Sequence, residues 1–193
     1  MDPIARFVEL LERAKQTPAI AEPTGMTLST VGADGRPSAR VVLLKGIDQE
    51  GLVFYTNTRS RKGRDIAARP DVALNFWWPQ LESQVRFEGP ARLVSPREAD
   101  AYFATRPRES QLGAWASDQS APLRSREELE ARFAELERKY QGKDVPRPAH
   151  WSGYRMTPLA VEFWRNRPGR LHERELYTRA SAGAPWTSTL LNP

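Results

Sequence analysis

The feature that most constrains the fold is a series of five short β-prone segments in the first half of the chain. They cover residues 26–32, 37–45, 52–57, 72–78 and 84–94, and each is rich in β-branched and aromatic residues. Residues 33–36 (ADGR) and 48–51 (DQEG) are typical of tight turns, so consecutive segments are expected to pair as antiparallel hairpins. Short antiparallel strands at this spacing predict a barrel or a sandwich rather than an open α/β sheet. We expect residues 37–45 to be the more buried strand of the first hairpin.

Capping signals predict helices outside this sheet. Asp2 followed by Pro3 begins an amphipathic helix, Ser60 begins a second, and Ser-x-x-Glu capping boxes at residues 95–98 and 125–128 begin two more. The expected fold is mainly β with flanking helices (α+β), an antiparallel barrel in a single domain over residues 1–193. Residues 1–20 are expected to form its N-terminal helix and connector.

Composition narrows the possible functions. The chain has no cysteine, which excludes disulfides and thiol catalysis and makes the cytoplasm the natural location. No apolar run approaches the length of a membrane span, and the N-terminus lacks the apolar block of a signal peptide, so we expect no membrane partner. The net charge of +5 favours an anionic ligand, but 24 acidic residues interleaved with 29 basic ones argue against nucleic acid.

Motifs for catalysis by side chains alone are absent from the sequence. It contains no nucleophile elbow, Walker loop or dinucleotide fingerprint, and its two histidines are not at metal-binding spacing, so no metal is expected. If the protein is an enzyme, an organic cofactor is expected to carry the chemistry.

Basic side chains recur in four clusters that could bind two separate anions. The clusters are Arg40 with Lys45, Arg61 with Lys62, Arg106 with Arg108, and Arg170 with Arg174. Arg61 and Lys62 lie in the first helical turn after Ser60, where the helix dipole is already positive. A phosphate bound to the free amides would explain them, and a merely solvated helix end is the alternative.

The segment VEFWRNRPGRLHER, residues 161–174, reads as a β-hairpin with a turn at residues 166–169. The second strand is expected to be extended from Arg170 onward, so alternation places Arg170, His172 and Arg174 on one face. Like charges at that spacing repel unless an anion or an electron-rich ring lies between them. A charged edge strand that discourages aggregation is the alternative explanation.

Four motifs in combination resemble the pyridoxine/pyridoxamine 5′-phosphate oxidase family. They are ARVVLLK (39–45), FYTNTRSRK (54–62), YFATRPRESQLGAW (102–115), and VEFW with RLHER (161–174). The resemblance implies an FMN-binding split β-barrel that forms a homodimer with FMN at the subunit interface. The chain departs from the family pattern in its short N-terminus, its basic turn after Trp164, and Leu190 at the position of a usual arginine.

The resemblance also implies specific site residues, some of them supplied by the partner subunit. The flavin set is Arg40, Val41, Val42, Leu43, Leu44, Lys45, Tyr55, Thr56, Arg61, Lys62, Gln84, Gln119, Ser120, Trp164 and Arg174, with Arg61 and Lys62 at the FMN phosphate. The substrate phosphate set is Lys45, Tyr102, Arg106 and Ser110. Arg170, Leu171 and His172 are expected on the pyridine ring, where Arg170 and His172 would orient the substrate and stabilise its charge as catalytic residues.

The implied reaction is the oxidation of pyridoxamine or pyridoxine 5′-phosphate to pyridoxal 5′-phosphate, with O2 as acceptor and H2O2 as product. Three alternatives remain open. The first is a related flavin oxidase of the phenazine-pathway type that acts on a larger aromatic acid, and the second is a flavin- or pyridoxal-phosphate-binding protein without turnover. The third is a nucleic-acid-binding module, suggested by the high pI and six tryptophans.

Overall fold

A computed structural model describes residues 2–193 as ten strands, five α-helices and two short 3-10 turns. The strands are β1 (Gly25–Val31), β2 (Pro37–Leu43), β3 (Gly46–Asp48), β4 (Gly51–Asn57), β5 (Asp71–Trp78), β6 (Ser83–Leu93), β7 (Trp151–Met156), β8 (Ala160–Arg165), β9 (Glu173–Thr178) and β10 (Thr187–Leu190). The helices are α1 (Pro3–Lys15), α2 (Arg61–Ala68), α3 (Pro96–Ala104), α4 (Arg108–Ala116) and α5 (Arg126–Lys139). The 3-10 turns are Pro79–Leu81 and Pro168–Arg170.

All strand pairings are antiparallel, and the long strand β6 joins the two parts of the sheet. One part has the order β10-β9-β8-β6-β5-β1-β2, while the last residues of β6 pair with β7, which continues to β4 and β3. Gly89 lies where β6 passes from β8 to β7, and a Cβ at this position would stand 2.0 Å from the Thr157 carbonyl oxygen. Only glycine allows the backbone of β6 to approach the backbone at Thr157 this closely, so Gly89 permits the sheet to curl.

The core lies between α1 and the concave sheet. Phe7 of α1 is fully buried, and its ring centroid lies 4.8 Å from those of both Phe76 and Phe87. A second, smaller cluster of Phe103, Leu112 and Trp151 packs α3 and α4 against the start of β7. The burial of these aromatic side chains supplies much of the hydrophobic stabilisation.

Four helices begin at their expected caps. The Asp2 carboxylate accepts from the Ile4 amide at 2.8 Å, and the hydroxyls of Ser60, Ser95 and Ser125 cap α2, α3 and α5. Two elements were not predicted, α4 and the short strand β3. The residue before α4 is Pro107, which offers no side-chain cap, so the sequence carries no starting signal for this helix.

The prediction that residues 37–45 are the more buried strand of the first hairpin is wrong. Alternate residues of β1 are buried, whereas no residue of β2 is, and the Val41 side chain is 70% exposed. The physical reason is that β2 is the last strand in the sheet order and pairs only with β1, so its other edge is free and Pro37, Ala39 and Val41 stay exposed.

The prediction of an extended chain from Arg170 onward is also wrong. Gly169 and Arg170 have φ values of 67° and 62°, which place two successive residues in the left-handed region, and strand β9 begins only at Glu173. Of the three residues predicted to share one strand face, only Arg174 lies in β9, so strand alternation does not align Arg170 and His172 with it. None of the helices within residues 2–193 has the length and apolar character needed to span a bilayer.

Candidate active site

A cavity of about 650 Å³ opens between β2, β4, the start of α2 and the end of α3. Most of the residues predicted for the flavin and for the substrate phosphate line it. They are Arg40, Val41, Val42, Leu43, Lys45, Tyr55, Thr56, Arg61, Lys62, Tyr102, Arg106, Gln119 and Ser120. The wall also contains Ser38, Ala39 and Trp151, which the sequence analysis did not identify. We call this space the basic cavity.

One end of the basic cavity is formed by the N-terminus of α2. The Lys62 ammonium donates to the Gln119 side-chain oxygen at 2.8 Å and to the Thr56 hydroxyl at 3.1 Å, and the Arg61 amide donates to the Ser120 hydroxyl at 3.2 Å. Burial, and then the charge of Arg40, lower the pKa of Lys62 to about 8. Within residues 2–193 no carboxylate forms an ion pair with Lys62, so this end of the cavity is suited to an anion.

Arg40 is held against the β1–β2 hairpin by several acceptors. Its guanidinium donates to the Thr30 and Ser38 hydroxyls, each at 2.7 Å, and to the Leu28 carbonyl at 3.2 Å. The buried Asp65 carboxylate accepts from the Thr30 hydroxyl at 2.7 Å and lies 3.9 Å from the Arg40 guanidinium. Burial nevertheless lowers the pKa of Arg40. Asp65 was not predicted, because an acid within a short charged helix carries no signal of its contacts across the fold.

Arg106 also lines the basic cavity, and no carboxylate within residues 2–193 forms an ion pair with it. Its Nη1 atom is buried and has no hydrogen-bond partner in the described part of the chain. Burial lowers the pKa of Arg106, and Tyr102 is the neighbour that opposes this shift. The Tyr102 ring stacks on the Tyr55 ring with centroids 3.9 Å apart. Burial raises the pKa of Tyr55 to about 12 and also raises the pKa of Tyr102, so both phenols are neutral hydrogen-bond donors at physiological pH.

A second cavity, of about 680 Å³, contains the predicted residues from the C-terminal strands. Gln84, Trp164 and Arg174 form one row across β6, β8 and β9, because Gln84 pairs with Trp164 and Trp164 pairs with Arg174. His172 packs on Trp164 with ring centroids 4.5 Å apart. Side chains of α1, Leu190 and Leu191 also line this cavity, together with Leu81 and further residues of β6, β8 and β9. We call this space the C-terminal cavity.

Arg174 and His172 each make a polar contact at the C-terminal cavity. Arg174 donates to the buried Glu162 carboxylate at 2.8 Å, and this contact raises the pKa of Arg174. The Arg167 amide donates to His172 Nδ1 at 3.3 Å. This contact leaves Nε2 as the ring nitrogen of His172 that can donate a hydrogen bond.

The single chain does not bring all the predicted residues together. The basic cavity and the C-terminal cavity share no lining residue, and four predicted residues line neither of them: Leu44, Ser110, Arg170 and Leu171. Leu44 belongs to the core, whereas the Leu171 side chain is 72% exposed. Trp151 could not be identified in advance because its contact with Arg106 joins two distant parts of the chain.

The donor set of the basic cavity fits FMN. The Arg61 and Lys62 cations at the α2 N-terminus fit a phosphate. The backbone of residues 40–43 and the side chains of Arg40, Lys45, Thr56 and Gln119 offer polar groups to a flavin ring. The unpaired Arg106 is a further anion-binding group in the same cavity. The basic cavity thus contains cationic groups from α2 and from the end of α3.

Comparison with known protein families gave two matches that together cover most of the chain. A family described as pyridoxamine 5′-phosphate oxidase matches residues 13–140, and one described as pyridoxine 5′-phosphate oxidase C-terminal dimerisation region matches residues 151–193. The pyridoxine/pyridoxamine 5′-phosphate oxidase of Myxococcus xanthus (strain DK1622) is 57% identical over 192 residues, covering 100% of this chain and 92% of the relative. The enzyme of the same name from Rubrobacter xylanophilus is 56% identical over 192 residues, covering 100% and 87%.

Two solved structures share the fold. PhzG from Burkholderia lata 383, in complex with tetrahydrophenazine-1-carboxylic acid, superposes with a TM-score of 0.86 at 34% identity, covering 96% of this chain and 92% of that one. A pyridoxamine 5′-phosphate oxidase-related, FMN-binding protein from Nostoc punctiforme has a TM-score of 0.76 at 20% identity, covering 98% and 96%. The prediction of an antiparallel split barrel with flanking helices is confirmed.

Proposed function

The chain belongs to the pyridoxamine 5′-phosphate oxidase family, and on this premise we propose that it oxidises pyridoxamine 5′-phosphate and pyridoxine 5′-phosphate to pyridoxal 5′-phosphate. The electron acceptor is O2 and the product is H2O2. The alcohol substrate loses two electrons and two protons, which O2 takes up, and the amine substrate also consumes water and releases ammonia. When bound, FMN supplies the redox chemistry by accepting a hydride from C4′ and passing two electrons to O2.

The observation that carries this proposal is the uncompensated Arg106 in the same cavity as the cationic α2 N-terminus. The α2 end, with Arg61 and Lys62, would hold the FMN phosphate. Arg106, together with Lys45 and the neutral phenol of Tyr102, would bind the substrate phosphate. Charge-assisted hydrogen bonds contribute about 1.5 to 3 kcal/mol each, so this set would discriminate strongly against unphosphorylated vitamers.

We further propose that the working site is formed by two subunits. The residues predicted for one FMN site are divided between the basic cavity and the C-terminal cavity, and residues 151–193 match the dimerisation region of the family. In a homodimer, the C-terminal cavity of one subunit would face the basic cavity of the other. The partner would then cover the exposed outer face of β2, including Val41.

In this arrangement the partner's C-terminal residues act on the reacting end of the substrate. Trp164 and Arg174 would contact the flavin, while Arg170 and His172 would contact the pyridine ring. The His172 Nε2–H can donate a hydrogen bond to a substrate oxygen or ring nitrogen, and Arg170 can stabilise developing negative charge. Both residues thus orient the substrate without taking part in electron transfer.

The test is the visible spectrum of the purified, FMN-loaded protein before and after anaerobic addition of pyridoxamine 5′-phosphate. We expect the flavin absorption to bleach and to return on admission of O2, with one pyridoxal 5′-phosphate formed per flavin reduced. A flavin that stays oxidised, in a protein that binds both ligands, would identify a carrier and overturn the proposal.

The likeness to PhzG favours a second candidate, an oxidase of the phenazine-pathway type. Parallel assays with pyridoxamine 5′-phosphate and with tetrahydrophenazine-1-carboxylic acid distinguish the two. We expect kcat/KM to be higher for the phosphorylated vitamer, because the uncompensated Arg106 provides a site for a phosphate. Faster turnover of the phenazine compound would instead support the second candidate.

A further inference from the structure

Arg106 is held by aromatic rings rather than by acceptors. Its guanidinium carbon lies 4.6 Å from the centroid of the Trp151 ring and 5.6 Å from that of Phe103. Its Nη1 atom is buried without a hydrogen-bond partner anywhere in residues 2–193. A partly buried arginine usually has a carboxylate partner, so its place over an aromatic face calls for an explanation.

The Trp151 ring is itself fixed. It is 6% exposed, stacks parallel to Tyr55 at 5.3 Å, and meets Phe103 edge-on at 5.0 Å. Its backbone is also tied down, because the amide donates to the Pro148 carbonyl at 2.9 Å and the carbonyl accepts from Arg147 at 2.7 Å. Trp151 is therefore a rigid platform at the first residue of β7.

An aromatic platform has a different effect on an arginine than a carboxylate would have. A carboxylate neutralises the positive charge and occupies the N–H donors in its plane. An aromatic face attracts the cation from above and leaves the charge and the in-plane donors available. Trp151 can thus hold the Arg106 guanidinium in one place while its donors stay free for an anion in the basic cavity.

We propose that Trp151 is a positioning residue that holds Arg106 ready to bind the phosphate of the substrate. This inference rests on the proposed function for the identity of the phosphate ester, but the positioning of Arg106 for an anion does not depend on the redox chemistry. Trp151 also stacks on Tyr55, which in turn stacks on Tyr102, so one aromatic stack supports two of the predicted phosphate ligands.

The experiment combines W151L, W151F, R106A and the double variants in a thermodynamic cycle. The readouts are the affinity for inorganic phosphate, measured by calorimetry on the FMN-loaded protein, and KM and kcat for pyridoxamine 5′-phosphate. We expect W151L to weaken phosphate binding and to raise KM about tenfold, with kcat and FMN affinity changed by less than about twofold, as a desolvated cation–π contact would give. W151F, which keeps an aromatic face, should recover most of the loss.

The R106A background separates positioning from general packing. If Trp151 acts through Arg106, W151L and W151F should change phosphate affinity less than about twofold once Arg106 is absent. The same loss in both backgrounds would overturn the proposal. W78F, in the main core, is the matched control: Trp78 is 2% exposed, and its replacement should lower stability without changing phosphate affinity.

The design also separates this inference from the proposed function. If no vitamer is turned over but phosphate binds and the cycle shows coupling, the proposed reaction fails and the positioning role stands. If W151L does not fold, W151F and its R106A double variant decide the question through the same cycle. Wild-type affinity for phosphate in W151F and W151L alike would refute the role of Trp151.

Discussion

The replacement of Arg106 by leucine provides a sharp test of the substrate site. Leucine keeps part of the apolar contact with Trp151 and Phe103 but removes the charge and all the N–H donors. We expect kcat/KM for pyridoxamine 5′-phosphate to fall strongly, whereas any residual turnover of unphosphorylated pyridoxamine should change less than about threefold. Affinity for FMN should not change, because the FMN phosphate is assigned to the α2 end of the cavity.

The magnitude follows from the unpaired donors of Arg106. Two charge-assisted hydrogen bonds from one guanidinium contribute about 3 to 6 kcal/mol, equivalent to a loss of roughly 10² to 10⁴ in kcat/KM. The effect on folding should be small, since no carboxylate loses a partner and a buried, unsatisfied Nη1 is removed. We expect the free energy of unfolding to change by less than about 1 kcal/mol, because the lost cation–π contact and the relieved desolvation offset each other.

The assay is steady-state oxidation of both substrates, paired with urea unfolding. The neighbouring Arg108 is the matched control, because it donates to the Lys143 carbonyl at 2.9 Å and to the Tyr140 carbonyl and does not line the basic cavity. R108L should therefore lower stability and keep the preference for phosphate. An equal loss on both substrates in R106L, or an unchanged kcat/KM, would refute the assignment of Arg106 to the phosphate.

Three further predictions concern the flavin end of the cavity and the sheet edge. D65N should weaken FMN binding about fivefold, because Arg40 loses the carboxylate that helps to hold its guanidinium in place. Tighter binding in D65N would instead show that the negative charge of Asp65 only repels the anionic cofactor. Because the pKa of Lys62 is about 8 in the fold, below its ordinary value of 10.5, its charge opposes folding at neutral pH. The free energy of unfolding of the apo-protein, measured by urea titration, should therefore rise between about pH 8 and pH 10.5. The affinity for FMN, measured by fluorescence titration, should fall above pH 8 because Lys62 loses its charge. K62M should abolish both trends. V41D should shift the protein toward monomers in sedimentation velocity, whereas L123D, at another exposed apolar residue, should not. An unchanged dimer in V41D would exclude β2 from the interface.

Local signals in the sequence predicted most of the fold. The caps at Asp2, Ser60, Ser95 and Ser125 each depend on a side chain and an amide within three residues, so the sequence contains everything needed to recognise them. Helix α4 was missed because Pro107 offers no such cap. Its stability comes instead from packing against α5 and the aromatic cluster, which is a property of the assembled fold.

The candidate site shows the same division between local and tertiary information. The motifs that resemble the family led to Arg40, Lys62 and Arg106, all of which line the basic cavity. Trp151 was missed because its contact with Arg106 depends on how α3 meets β7. The extended conformation expected at Arg170 was wrong because a residue-by-residue pattern does not reveal two successive positive φ values.

The pairing of β6 with β7 separates the barrel from the segment that carries several residues of the candidate site. The chain leaves β6 after Leu93 and re-enters the sheet at Trp151, the first residue of β7, in which Tyr154 is the ladder partner of Leu93. Residues 95–150, which include α3, α4 and α5, thus form an insertion between two paired strands. This insertion carries Tyr102, Arg106, Gln119 and Ser120, so part of the proposed anion site lies on a segment that takes part in no strand ladder. Substrate preference can thus change over generations while the barrel itself stays the same.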